Sequence, residues 1–264
     1  MMTSRFTKIF LTAILFVSGA PAFAQDTKAP APVAPAVAPS VPDAERLKIE
    51  TIVKQLLQRE PQIVMDAAQN YQAKQREIEM AKAAGAIKEN SAKLNNDPNS
   101  PVSGNPKGDV TVVEFFDYNC GYCKRAHPTT TQLKKEDTNV RYVYKQFPIL
   151  GPTSLTAAQA AVAAHLQGKF EAMHDALMNN KEPLSESVID KMAGEIKGLD
   201  VAKFKKDMAG DEVRKRIDAD LELGRSVGVQ GTPGFVIKDQ LHPGAMDIAQ
   251  FKKLVAEARE AKKP

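Results

Sequence analysis

The sequence predicts an α/β domain with a large helical insertion, preceded by an N-terminal helical arm. Three observations predict it. The apolar strand pattern "DVTVVEFF" runs straight into a helical pattern that opens on Cys120 and Cys123, the only two cysteines among 264 residues. Helical patterns then fill about residues 153–228, and two short strands and an amphipathic helix close the chain. Before all of this, residues 43–94 read as helix with an apolar stripe too small to form a core of its own.

Residues 1–24 carry Arg5 and Lys8, the apolar run "IFLTAILFV", and "APAFA" before Gln25. This is the pattern of a secretory signal peptide with cleavage expected after Ala24. The run covers only residues 9–17, short of the ~20 residues a spanning helix needs, so a membrane anchor is disfavoured and no membrane span is expected after cleavage. The mature chain is thereby expected in a compartment that permits disulfides. Residues 25–42, with "KAPAPVAPAVAPSVP", read as an Ala/Pro-rich tether. The net charge of +4 is spread through a mixed-sign sequence, without the basic block or interleaved aromatics of a nucleic-acid surface.

In the arm, Ile49, Ile52, Val53, Leu56 and Leu57 follow helical spacing. Pro61 interrupts, and a second helix is expected from there, with Ile63, Val64, Ala67, Ala68 and Tyr71 on one face. Residues 72–94 are strong helix formers whose only large apolar side chains are Ile78, Met80, Ile87 and Leu94; they read as a solvated connector. The breaker-rich stretch 95–108 reads as a linker. The stripe must pack on the main domain or on copies of itself, and a chain lacking residues 25–94 is expected to keep a folded domain 109–264.

That domain starts with the strand "DVTVVEFF", apolar on both faces as a central strand should be. "CGYCKRAHPTTTQLKKE" reads as a helix kinked or restarted near Pro128, and "VRYVYKQFP" as a second strand. In the insertion, Ser185 and Asp200 are expected N-caps and Gly168, Gly198 and Gly210 expected stops. "GFVIK" returns to strand, "QLHPGA" is a turn or edge strand, and "DIAQFKKLVAEAREAKK" is the closing helix.

A disulfide between residues three apart closes too small a loop to stabilise much, so the cysteine pair points to reactivity. At a helix start, backbone N–H groups and the helix dipole stabilise a thiolate. Cys120 is then the exposed, acidic nucleophile, and Cys123, one turn along, the less exposed thiol that resolves a mixed disulfide. A zinc site on Cys120, Cys123 and His127 has no second cysteine pair to complete its ligand set; two thiolates suit copper(I), which leaves a copper-binding thiol protein as a minor alternative. A noncatalytic holdase would give the pair no purpose.

"EFFDYNCGYC" at a strand-helix junction, a helical insert after the next strand, and "GVQGTPGFVI" together resemble the DsbA-like thiol-disulfide oxidoreductases of the thioredoxin fold, over Asp109 to Lys263. The resemblance implies a thioredoxin-like fold, a periplasmic location, and a cis-proline loop at Thr232-Pro233 beside the cysteines. It implies client proteins with cysteines as substrates and a membrane redox partner, either a DsbD/ScsB-like reductase or a DsbB-like oxidase. No cofactor beyond the Cys120-Cys123 disulfide is implied. The arm is similar to the helical extension of ScsC-type proteins, which are associated with copper tolerance and of which some are trimeric isomerases, so a homo-oligomer, a trimer, is expected. Gly121, Tyr122 and Thr232 are expected to contact substrate and are closer to isomerases of the DsbC type than to DsbA oxidases; the alternative is a monomeric DsbA-like oxidase. In the family an acid at Glu114 tunes proton transfer to the buried cysteine, the alternative being a structural acid paired with a lysine such as Lys145. His127 reads as a surface or capping histidine, and His165, His174 and His242 show no site spacing.

Overall fold

The computed structural model describes residues 42–261. The expected signal peptide lies outside the described residues, as does the tether up to residue 41. The chain divides into two units between Pro61 and Gln62. In the first, helix α1 (Asp43–Arg59) buries nothing; Leu47, Ile49, Ile52, Val53 and Leu57 all lie on its exposed surface.

The second unit opens with α2 (Gln62–Glu89), one continuous 28-residue helix. The polar stretch beyond Tyr71 is therefore helical, but it is not solvated to its end. Ile87 is 1% exposed, and Leu94, in the short α3 (Ser91–Asn95), is 0% exposed. Both join an apolar cluster with Val113, Phe115, Val143 and Val236. The stretch 95–108 also does more than link, because β1 (Val102–Gly104) lies within it and pairs antiparallel with β3. Removing residues up to 94 would thus strip two fully buried side chains from the domain, contrary to the separability expected from composition.

Among the described residues, five strands form one sheet in the order β1-β3-β2-β4-β5. At its centre β2 (Val110–Phe116) runs parallel to β3 (Val140–Gln146). On its other side β2 meets β4 (Gly234–Ile237) antiparallel, and β5 (Gln240–Pro243) closes the edge. Alternation along the strands sends Val112, Phe116, Tyr142, Tyr144, Phe235 and Ile237 into the larger core. Val113, Phe115, Val143 and Val236 face the opposite side.

The larger core is covered by α4 (Gly121–Glu136), α10 (Ile248–Glu260) and helices of the insertion, which comprises α5 (Pro152–His165), α6 (Phe170–Asn179), α7 (Glu186–Glu195), α8 (Val201–Met208) and α9 (Asp211–Ser226). Ser185 and Asp200 cap α7 and α8 by accepting from Val188 N–H and Lys203 N–H. Gly168 and Gly198 take positive φ, as stops do, whereas Gly210 is the N-cap of α9. Helix α4 runs through Pro128 as one helix rather than restarting there. Helix α9 comes so close to the sheet at Gly224 that a Cβ there would meet the Phe147 ring at 2.5 Å. This architecture gathers the end of β2, the start of α4 and the loop before β4 at one edge of the sheet.

Candidate redox site

Cys120 is the N-cap residue of α4, in extended conformation, and Cys123 lies in its first turn. Both are free thiols. Cys120 as a whole residue is 6% exposed and Cys123 0%, so the expected order of access holds while Cys120 is far less open than a surface thiol. The Cys120 thiol donates a 3.2 Å hydrogen bond to Thr232 O, and the Thr232-Pro233 peptide is cis. The loop before β4 therefore touches the nucleophile directly. Gly121 starts α4 and is exposed. Tyr122 is 61% exposed, with the Arg125 guanidinium 4.2 Å from its ring centroid.

The two thiols are driven apart in acidity. Hydrogen bonding from Cys123 to the Cys120 sulfur is the largest influence holding Cys120 down at about 5, helped by Thr232 and by the N–H groups of Cys123 and Tyr122, against partial burial. That same bond, burial and the Glu114 charge push Cys123 well above the usual thiol range. Burial raises Glu114 to about 7, opposed by its hydrogen bond from Tyr142 and by the positive charges of Lys134 and His127. Tyr142 donates to Glu114 Oε2 at 2.7 Å. Lys145 is not the partner of Glu114: it lies on the other face of the sheet, 3.0 Å from Asp97 and 3.1 Å from Asp220.

Several residues at this site carry no mark in the sequence pattern. His127 is buried rather than a surface residue, 3.3 Å from Asp175 and in edge contact with His174. His174 is buried too, held at Nδ1 by Tyr118. Donor atoms of His127, His174 and Asp175 lie within 4.8 Å of one another, a grouping that the spacing of the histidines does not suggest; it is the one set among the described residues with the donors to approach a metal. Asp117 accepts three backbone N–H bonds beside the cysteines. Beyond Met80, the exposed large apolar side chains among the described residues are Tyr122, Ile149 and Leu150. Ile149 and Leu150 are bonded to Asp117, three residues before Cys120.

A family model, the DSBA-like thioredoxin domain, matches residues 111–256. The chain belongs to the DSBA-like thioredoxin domain family. Its DSBA-like domain is that of a thiol-disulfide oxidoreductase. A thioredoxin-like oxidoreductase from Silicibacter pomeroyi shares 47% identity over 64% of this chain and 97% of its own, with a TM-score of 0.62. Proteus mirabilis ScsC in a transitional conformation is 29% identical over 84% of this chain and all of its own, also at 0.62. The thiol-disulfide exchange protein α-DsbA2 from Wolbachia pipientis is 31% identical over 66% of this chain and 95% of its own, with a TM-score of 0.62. The chain is also 33% identical over 60% of its length to curated Na(+)/H(+) antiporters of the NhaA type from Salinispora tropica and Salinispora arenicola, and spans about a quarter of their length. Among the described residues no helix is long and apolar enough to cross a membrane.

Proposed function

We propose that this protein exchanges disulfides with client proteins in the periplasm, as a disulfide isomerase or reductase assembled through its N-terminal arm. The observation that carries the exchange reading is the split between two adjacent thiols, Cys120 held acidic at the mouth of α4 and Cys123 buried and protonated beside Glu114. In the reducing direction the Cys120 thiolate attacks one sulfur of a client disulfide, forming a mixed disulfide and releasing the other client sulfur as a thiolate. Cys123 then loses its proton to the Glu114 carboxylate and attacks the Cys120 sulfur. The bond to the client breaks, the client leaves as a thiolate, and Cys120-Cys123 is the oxidised product. Run backwards, the same steps oxidise a client dithiol. No organic cofactor enters either direction.

The loop at Thr232-Pro233 supplies Thr232 O to the nucleophile, and in this reading its backbone groups pair with an extended client segment. Gly121 adds no side chain of its own beside Cys120, while the exposed Tyr122, Ile149 and Leu150 offer apolar contacts to an unfolded client. The isomerase direction and a trimeric state rest on the likeness of the arm and of Gly121, Tyr122 and Thr232 to isomerases. They are supported by a stripe on α1 that finds nothing to bury against within its own unit. The periplasmic location rests on the signal-peptide pattern of residues 1–24. A membrane reductase or oxidase would reset the pair after each turnover.

The test is mixed-disulfide trapping in the native host. Cys123→Ser is expected to accumulate covalent client adducts on Cys120, and Cys120→Ser to accumulate almost none. The reverse pattern, or adducts on neither variant, would sink the exchange reading.

A further inference from the structure

Asp117 ends the run "EFFD" and is 1% exposed. A carboxylate so deeply buried must be neutralised by donors, and all three that the structure supplies are backbone N–H groups. Oδ1 accepts from Asn119 N–H at 2.8 Å, closing a local turn. Oδ2 accepts from Ile149 N–H at 2.9 Å and Leu150 N–H at 3.0 Å, across the gap to the loop between β3 and α5. The main chain of the same residue bears on both cysteines: Asp117 O accepts from Cys120 N–H at 3.0 Å, and, against the bond with Cys120 and the burial that raise Cys123, the Asp117 backbone favours its thiolate. Asn119, inside the turn, adds bonds from its amide to Thr153 and Ser154 at the start of α5.

We infer that Asp117 is a positioning residue for thiol-disulfide exchange, a buried carboxylate that sets where Cys120 stands relative to the Ile149-Leu150 loop on one side and to Cys123 on the other. The inference rests on the exchange reading above. The carboxylate touches neither reacting sulfur, since its bonds go to Asn119, Ile149 and Leu150, so its effect passes through the backbone it holds. The sulfur of Cys120 profits from the N–H groups of Tyr122 and Cys123 only while the turn from 117 to 120 delivers it to the axis of α4. The same clamp presents Ile149 and Leu150, two of the three exposed large apolar side chains near the pair, at a fixed place beside an incoming client.

Charge and position make opposite predictions here, which gives the test its sign. If Asp117 acted only as a nearby negative charge, removing it would make the Cys120 thiolate easier to form. If it positions, removing it lets the sulfur drift from its donors and makes the thiolate harder to form. The full mature chain carrying Asp117→Ala is therefore assayed for the pH midpoint of Cys120 alkylation, and for exchange with both a small disulfide and a scrambled protein. At least a tenfold loss of thiol acidity is expected, with a larger loss of rate on the protein than on the small disulfide. Asp117→Asn keeps the shape and one acceptor oxygen, and should shift the midpoint in the same direction by less; it decides the matter if the alanine variant does not fold. Asp247→Ala, which removes the N-cap of α10, lowers stability elsewhere and should leave the midpoint unmoved. A midpoint that falls or stays in the Asp117 variants overturns the inference. Absence of Cys120-dependent exchange in the wild-type chain would instead overturn the exchange reading on which it rests.

Discussion

Tyr142 Oη donates a 2.7 Å hydrogen bond to Glu114 Oε2 in the interior behind the cysteine pair. Burial outweighs the help this bond gives to the charged form, and the Glu114 carboxyl stands at about 7 against an ordinary 4.5. An acid whose folded-state pKa is raised binds its proton more tightly folded than unfolded, so stability falls as pH rises from 4.5 towards 7, and the loss is complete above 7. The difference corresponds to about 3 kcal/mol. Glu114→Gln, which keeps an oxygen for Tyr142, should therefore be more stable than wild type by up to about 3 kcal/mol at pH 8 and nearly equal to it at pH 4. Urea denaturation at both pH values checks this; the same difference at both would contradict it.

Thr232 approaches Cys120 through both its carbonyl and its side chain. Thr232→Val removes the hydroxyl but not the carbonyl. The Cys120 thiol, held down at about 5, should lose acidity, so that its alkylation midpoint rises, and the reduction potential of the pair should move towards the reducing side because the reduced thiolate form is less favoured. An unchanged midpoint and potential would show that Cys123 and the backbone donors of α4 carry the effect without the Thr232 hydroxyl.

Lys145 is 1% exposed between Asp97 and Asp220. Asp220 also accepts from Gln146 N–H at 2.9 Å, and so ties α9 to β3. Asp220→Ala would leave a buried ammonium with one partner and a buried N–H with none, at a cost of about 3–5 kcal/mol. The denaturation midpoint should fall accordingly, and a loss below about 1 kcal/mol would show that water replaces the carboxylate.

The apolar stripe of α1 sets a fourth expectation. Light scattering of the mature chain at micromolar concentration should give a homo-oligomer, a trimer by resemblance. Ile52→Glu combined with Leu56→Glu should give monomers that still reduce a small disulfide but lose most isomerase activity on a scrambled protein. A monomeric wild-type chain would return the protein to the DsbA-like oxidase alternative.

The strand-helix junction at Cys120 is legible in the sequence because β2 is apolar on both faces and both cysteines of the chain follow it at once. The insertion is legible because its helices carry caps and stops, and Gly210, which follows the end of α8, is also the N-cap of α9. Ile87 and Leu94 are not legible: single apolar residues in a polar helix make no periodic stripe, and only the sheet face they meet shows that they are core. Nor is the partner of Glu114, since the pleat turns Tyr142 towards it and Lys145 away, and strand register is needed to see which. Asp117 is hidden for another reason. Its carboxylate is bonded to backbone N–H groups, which every residue but proline offers, so no partner residue type announces it.

Because α2 ends inside the domain rather than at a linker, it is a rod with one end cemented. At 1.5 Å per residue its 28 residues span about 42 Å. Adding or removing four residues midway along the rod would change its reach by about 6 Å and nearly preserve the way its far end faces, whereas two would change it by half as much and turn that end to the opposite side.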